Sequence, residues 1–218
     1  MLLERINILK KEIIEYAYFV EGMVTKSINS LFERNTKKLI EIIENDEKYA
    51  NVKEVEIEEL CIQTIAQFEP KVSDLRTIIM IIKMNNDFER IADHAVNISQ
   101  SSIFILKNSE IIMKEMILEI YKKTISMFKD AITSFIEQDP KLAKNVCERD
   151  DEVDDLRDEV YHNYSKIIEN HPEKSLSLLS TLKICSNLER IADLSTNISE
   201  DVIFILEGKI IKHYKDIQ

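Results

Sequence analysis

The chain has 218 residues, enough for one large domain or for two modules of about 100 residues each. Its formal charge of −11 disfavours binding to nucleic acid, which requires basic surfaces. Only two Gly and three Pro residues interrupt the chain, and this scarcity of turn residues argues against a sheet protein and predicts long helices.

The sequence offers no segment for a membrane or for secretion. The longest apolar run, residues 78–82, is far too short to cross a bilayer, and the first residues lack the pattern of a secretory signal. We therefore expect a cytoplasmic protein without membrane insertion. The cysteines form no CxxC pair and no even set, which favours reduced core residues. They are Cys61, Cys147 and Cys185.

Proline residues divide the chain into six predicted helices. These cover residues 3–33, 37–68, 71–107, 110–137, 141–169 and 173–208. Pro140 and Pro172 lie in the first turn of a helix, where proline is tolerated, and Asp139 is a predicted N-cap. No linker rich in Gly or Ser separates the halves. We predict an all-α protein of two closely joined three-helix modules, residues 1–108 and 109–218.

The third and sixth predicted helices contain the same motif, 100 residues apart. Residues 84–106 and 184–206 are identical at 12 of 23 positions without a gap, and both contain the segment Glu-Arg-Ile-Ala-Asp. A repeat of this length indicates two similar modules. Charged residues recur as faithfully as apolar ones, although packing alone would not preserve them. Function should therefore be sought in this motif.

The apolar residues of the motif form a heptad-like seam that we expect to face the core. In the third helix the seam consists of Met84, Phe88, Ile91, Ala95, Ile98, Ser102 and Ile105. In the sixth helix it consists of Leu188, Ile191, Ser195, Ile198, Val202 and Ile205.

Two acidic residues in each copy lie away from this seam. Helical geometry places Glu89 and Asp93 about 160° from Ile91, one turn apart on the outer face. Glu189 and Asp193 repeat this arrangement in the second copy. Asn97 and Asn197 follow one turn later and add a neutral oxygen donor to each row.

The helix before each copy carries a second acidic row. Asp150 and Asp154 stand one turn apart in the fifth helix, and the aligned positions in the second helix are Asp46 and Ala50. Stacked like charges destabilise a helix unless something neutralises them. Two such rows on neighbouring helices therefore predict a site for a hard cation. A single acidic pair is more often a solvated face, and salt bridges through the adjacent arginines are an alternative role.

No other motif indicates chemistry. The sequence has no inward Glu-x-x-His pair of the di-iron type, no Gly-rich phosphate loop and no GxSxG. We therefore expect no enzymatic activity. Two alternatives stay open: a surface metalloenzyme with a carboxylate-bridged cluster, and a purely structural helical bundle that binds no metal.

The duplicated motif, each copy after an acidic helix, resembles the PhoU family over nearly the whole chain. The most specific segments are PKVSDLR at residues 70–76 and EDVIFILEG at residues 200–208, with a tail that continues to His213. The resemblance implies two three-helix bundles related by pseudo-twofold symmetry. It also implies a cytoplasmic negative regulator of phosphate uptake and phosphate-starvation signalling. Expected partners are the ATPase subunit of a phosphate ABC transporter, its sensor histidine kinase and a second copy of the chain.

The resemblance also implies divalent or trivalent metal ions, often in multinuclear clusters. Iron or zinc is expected from the family, whereas oxygen ligands also suit Mg²⁺, Mn²⁺ or Ca²⁺. The residues that match the family's metal motifs are Asp150, Asp154, Glu189 and Asp193 in the second module and Asp46, Glu89 and Asp93 in the first. Ala50 stands where an Asp is usual, with Asn51 and Glu54 as possible substitutes. We expect the first site to be weaker, smaller or empty.

Overall fold

The computed structural model describes residues 1–108 and 110–208, with the backbone alone at Asn108. These residues form eight α-helices and no strand. The helices are α1 (Leu2–Phe32), α2 (Thr36–Glu41), α3 (Glu47–Phe68), α4 (Val72–Asn108), α5 (Lys114–Glu137), α6 (Pro140–Glu148), α7 (Asp150–Asn170) and α8 (Ser175–Glu207). A π-helical turn, Ile42–Asp46, joins α2 to α3, and a 3-10 helix, Pro172–Lys174, precedes α8. The predicted tail to His213 lies outside the described residues.

The helices form two three-helix modules, as the sequence predicts, if α2 and α3 are counted as one interrupted middle helix and α6 and α7 as another. In the first module α1 and α4 pack together with α2 and α3, and in the second α5 and α8 pack together with α6 and α7. The modules join closely because α4 packs along α8 and α1 contacts α5. None of the helices in the described ranges has the length and apolar character needed to span a membrane.

The two motif-bearing helices, α4 and α8, cross in antiparallel orientation. Lys83 pairs with Asp201, whereas His94 Nδ1 lies 2.8 Å from Asn187 Oδ1 further along the pair. These two contacts place the crossing close to Ile91 and Ile191. A pseudo-twofold axis therefore passes through the middle of the duplicated motif and relates each residue of α4 to the residue 100 positions later in α8.

The predicted seams form the core of both modules. All seven seam residues of α4 are buried, as are five of the six in α8, with Ile205 partly buried against the same core. The aromatic rings of Phe88 and Phe128 meet edge to face across the modules, with centroids 5.8 Å apart. The three cysteines are buried and unbridged, as predicted.

The interrupted middle helix of the first module, formed by α2 and α3, contains one residue more than its counterpart in the second module. Its buried residues Ile42 and Ala50 lie eight positions apart, whereas the corresponding residues Val146 and Val153 of the second module lie seven apart. The π-helical turn between α2 and α3 accommodates this insertion. The helix predicted over residues 37–68 is therefore interrupted.

Because of this insertion, residues after the π turn correspond to residues of the second module that lie one position earlier than a gapless alignment gives. After the π turn, Glu47 corresponds to Asp150 and Asn51 corresponds to Asp154. Ala50 is completely buried and corresponds to Val153, so it is a core residue and not a lost metal ligand. A gapless comparison of the sequences cannot detect this shift.

Two other predicted helices have different bounds. The helix predicted over residues 141–169 breaks at Arg149, whose guanidinium donates to Asp130 Oδ2 at 2.6 Å. The helix predicted from residue 110 begins at Lys114. The preceding residues pack instead across the start of α8, where the Ser177 hydroxyl donates to the carbonyl of Glu110 at 2.9 Å.

Candidate metal centre

Three predicted ligands meet on the surface of the second module. One carboxylate oxygen from each of Asp154, Glu189 and Asp193 lies within 4.8 Å of the other two. Asp154 comes from α7, and the other two come from successive turns of α8. In the described part of the chain, no other trio of acidic, His or Cys side chains comes this close.

The packing of α7 against α8 brings these residues together. Burial of Val153 and Val160 fixes the face of α7 that contacts the module, and Asp154 lies at the edge of that face. Burial of Leu188 and Ile191 likewise places the acidic residues of α8 at the rim of the helix. The ligands are thus positioned by the core residues beside them in the sequence.

Asp150 lies one turn before Asp154 and extends the acidic group. The Thr196 hydroxyl donates to Asp150 Oδ1 at 3.3 Å. Partial burial, and then the negative charges of Asp193 and Asp154, raise the pKa of Asp150 to about 6. All four predicted ligands of the second module therefore interact electrostatically.

The ionised form of the two α8 acids is disfavoured in the same way as that of Asp150. Loss of solvation, followed by repulsion from Glu189 and Asp154, raises the pKa of Asp193 to about 6. Burial also raises the pKa of Glu189, although the Arg157 guanidinium partly offsets it. A cation between these carboxylates would relieve repulsion that the fold imposes on them.

Arg157 is the cation that the protein itself supplies. Its Nη2 atom lies 3.4 Å from Asp154 Oδ1 and 3.8 Å from Glu189 Oε1. Its Nε atom lies 3.2 Å from Oδ1 of Asp158, which follows Asp154 by one turn of α7 and is not one of the trio. A bound metal ion would compete with this guanidinium for Asp154 and Glu189.

The first module places a looser acidic group around Glu89 and Asp93. Burial, and then the charges of Asp93 and Glu54, raise the pKa of Glu89, and Glu47 adds a smaller repulsion. Glu54 occupies the position that corresponds to Arg157, so this group has an additional acid in place of the guanidinium. Sequence reasoning missed Glu47 because it is brought into register by the π turn.

Asp46 has a different environment from the one the sequence suggests. It lies in the π turn, where the Lys26 ammonium donates to its Oδ2 atom at 2.9 Å. Only 17% of its side chain is exposed. The carboxylates that raise the pKa of Glu89 most are instead Asp93 and Glu54.

The two asparagines that follow the acidic pairs line a cleft together with one acid of each pair. Asn97 and Asn197 face a cleft of about 570 Å³ between α4 and α8. Asp93 and Asp193 line the same cleft, which therefore connects the acidic groups of the two modules.

The residues of the second-module trio fit a hard metal ion. Their donors are carboxylate oxygens, the ligands preferred by Mg²⁺, Mn²⁺ and Ca²⁺ and acceptable to iron. Structural zinc sites favour thiolate and imidazole ligands, neither of which belongs to the trio. The fit is thus better for an oxygen-seeking cation than for zinc.

Comparison with known proteins places this architecture in a family. The family model described as PhoU domain matches residues 13–102 and again residues 117–202. A "phosphate-specific transport system accessory protein PhoU homolog" of Aquifex aeolicus is 32% identical over 207 residues, covering 94% of this chain and 92% of that protein. The "phosphate-specific transport system accessory protein PhoU homolog 1" of Thermotoga maritima is 31% identical over 213 residues, covering 96% of this chain and 90% of that protein.

Solved structures show the same fold. PhoU from Pseudomonas aeruginosa superposes with a TM-score of 0.92 at 25% identity, covering 96% of this chain and 100% of that chain. The phosphate transport system regulatory protein PhoU from Streptococcus pneumoniae gives a TM-score of 0.86 at 23% identity, covering 97% of this chain and 100% of that chain. With both modules matched in order over most of its length, the chain belongs to the PhoU family.

Proposed function

We propose that the chain is an accessory protein of a phosphate transport system that restrains phosphate uptake and phosphate-starvation signalling. The observation that carries this proposal is the match of both modules to the PhoU domain. Relatives at about 30% identity over most of the chain are named as accessory proteins of phosphate-specific transport. Their names describe an accessory role in transport and not a reaction.

The protein acts through contacts and not through turnover. Its partners are the ATPase subunit of the phosphate transporter and the associated sensor histidine kinase, both met in the cytoplasm, and it assembles as a homodimer. The geometry of the carboxylate trio supports a non-enzymatic role, because Asp193 is exposed and an open site does not exclude water from a reaction.

Metal ions serve this function as structural or modulatory ligands. In the second module Asp150, Asp154, Glu189 and Asp193 hold the ion. Binding supplies positive charge that links α7 to α8 and neutralises the acidic rim.

In the first module Glu89 and Asp93 are the predicted ligands, and Glu47 and Glu54 are the nearest acids of α3. Asp46 contributes only after its contact with Lys26 is broken. We expect the first site to bind metal more weakly, because among the described residues no three carboxylates of this module come within 4.8 Å of one another.

A deletion strain of the source organism tests the regulatory role. We expect loss of the gene to raise expression of a phosphate-starvation reporter in phosphate-rich medium, and the wild-type gene to restore repression. Unchanged reporter expression in the deletion strain would count against the proposal. Co-purification with the transporter ATPase subunit tests the contact, and absence of association at both high and low phosphate would exclude that partner.

A further inference from the structure

A groove beside the crossing of α4 and α8 has a charge opposite to that of the chain. It has a volume of about 570 Å³ and includes Phe104, Leu176, Leu179, Lys183 and Arg190 in its lining. Leu176 is 62% exposed and Leu179 is 44% exposed, which is unusual for two leucines in one groove. The groove residues carry two positive charges and no acidic side chain, although the net charge of the chain is −11.

The pseudo-twofold axis supplies an internal reference for this groove, because the corresponding place on the other side is filled. There the Arg76 guanidinium, at the position equivalent to Leu176, lies 5.2 Å from the centroid of the Phe204 ring. Asp201 pairs with Lys83, which is equivalent to Lys183. The filled side thus satisfies its lysine with a carboxylate and covers its aromatic ring with a long side chain.

The open side lacks the residues that fill its counterpart. Ser101 stands at the position of Asp201 and cannot supply a carboxylate, and Leu176 stands at the position of Arg76. Among residues 1–108 and 110–208, Lys183 makes no ion pair. The open groove therefore exposes apolar surface beside an uncompensated ammonium group.

We propose that this groove docks an acidic, aliphatic segment of a partner protein. A carboxylate of the segment pairs with Lys183, as Asp201 pairs with Lys83, and a second carboxylate meets Arg190. Aliphatic side chains cover Leu176 and Leu179. The apolar contacts contribute affinity and the charges select the partner.

A protein segment suits the groove better than an anionic membrane. Recognition of anionic lipid surfaces commonly uses clusters of about four to eight basic residues, and this groove has two. The inference goes beyond the proposed function, because none of the three metal ligands Asp154, Glu189 and Asp193 lines the groove.

Synthetic peptides provide the test. The probe is an amphipathic helical peptide with leucines on one face and glutamates beside them, and two analogues carry glutamine or lysine in place of glutamate. Each peptide is titrated into the full chain labelled with ¹⁵N, in the presence of a chelator. We expect the glutamate peptide alone to shift amide signals in residues 101–104 and 176–190, and binding to weaken as salt is raised.

Variants of the groove make the test specific. Lys183→Glu should weaken binding by about tenfold or more, since it replaces an attraction with a repulsion. Ser101→Asp combined with Leu176→Arg transfers the filling residues of the other side and should abolish binding. Lys122→Glu, an exposed charge reversal on α5, is the matched control and should leave binding unchanged.

Several results would overturn the inference. Equal binding of the three peptides, no binding at millimolar peptide, or full binding by the Ser101→Asp/Leu176→Arg variant would each do so. Preferential binding to vesicles of anionic lipid would assign the groove to a membrane. Dissociation of a dimer by the same double variant would assign it to a second copy of the chain. None of these results bears on metal content or on the phosphate reporter, so failure here is distinguishable from failure of the proposed function.

Discussion

At the scale of single residues, the acidic rim of the second module is held in an unfavourable charge state by its neighbours. The core contacts of α7 and α8 force carboxylates together that would separate in solution. Arg157 relieves part of the repulsion but contacts only one side of the group, through Asp154, Asp158 and Glu189. Removing one negative charge should therefore stabilise the protein in the absence of metal.

Asp193→Asn tests this expectation through pH. The pKa of Asp193 rises from 3.8 to about 6 on folding, because burial and neighbouring carboxylates disfavour its charge. Below the unfolded value both states are protonated and nothing is lost, whereas stability falls as pH rises from 3.8 to about 6 and stays at the lower level above that. In chelator at pH 7 the variant should unfold with a free energy about 0.5–1 kcal/mol higher than wild type, a small gain because the site is partly exposed. The gain should vanish near pH 4.

Urea unfolding at the two pH values measures this difference. Asp155→Asn, on the exposed side of α7, is the control and should show no gain at pH 7. Equal stability of Asp193→Asn and wild type at pH 7 would show that the acidic rim is not under repulsion. Added Mn²⁺ should stabilise wild type more than Asp193→Asn, because only wild type retains the complete ligand set.

At the scale of secondary structure, the π turn between α2 and α3 determines which acids reach α4. It adds one residue while keeping Ile42 and Ala50 in the core. Removal of one residue from the turn should convert it to ordinary α-helix without rotating α3.

Deletion of Asn45 tests the insertion directly. Asn45 is exposed within the turn, so we expect the unfolding free energy to change by less than about 1 kcal/mol. Deletion of Glu56, an exposed residue of regular α3, should instead rotate the following residues by about 100° and remove Ile57 from the core. That variant should lose about 4 kcal/mol or fail to fold. Equal losses from the two deletions would refute the role given to the π turn.

The π turn between α2 and α3 also shows where prediction from the sequence fails. The seam of α4 was predictable because its residues keep heptad spacing without a break from Met84 to Ile105, and all of them are buried. The ligands of the second module were predictable because α7 and α8 contain no insertion at the site, so that regular helical spacing places them correctly. Glu47 and Arg157 were not predictable, because one depends on a π turn without a sequence signal and the other on how two helices pack.

At the scale of the whole molecule, the two modules share a fold and differ in how they meet. The antiparallel pair of α4 and α8 is locked on one side by Lys83 and Asp201 and is open on the other at Lys183 and Ser101. Asp201 is only 5% exposed, and no residue in the described part of the chain donates a hydrogen bond to its Oδ2 atom. The ion pair between Lys83 and Asp201 therefore contains a buried carboxylate that Lys83 neutralises.

Substitutions of the two residues of this ion pair should lower the free energy of unfolding by unequal amounts. Lys83→Met leaves a buried carboxylate without its cation and should lower the unfolding free energy by about 1–3 kcal/mol. Asp201→Ser reproduces the residue of the open side and should lower it less, since Lys83 can turn toward water. Thermal unfolding compares the two variants. A larger loss from Asp201→Ser would mean that the ion pair itself stabilises the junction of the modules.

The most direct test of the account is elemental analysis of protein purified without added metal. Wild type should retain a hard metal ion, and Asp150→Ala/Asp154→Ala should lose the ion of the second module while remaining folded. Asp155→Ala, on the same helix but outside the trio, should keep the wild-type content. Metal content that is unchanged in Asp150→Ala/Asp154→Ala would contradict the assignment of the site to these carboxylates.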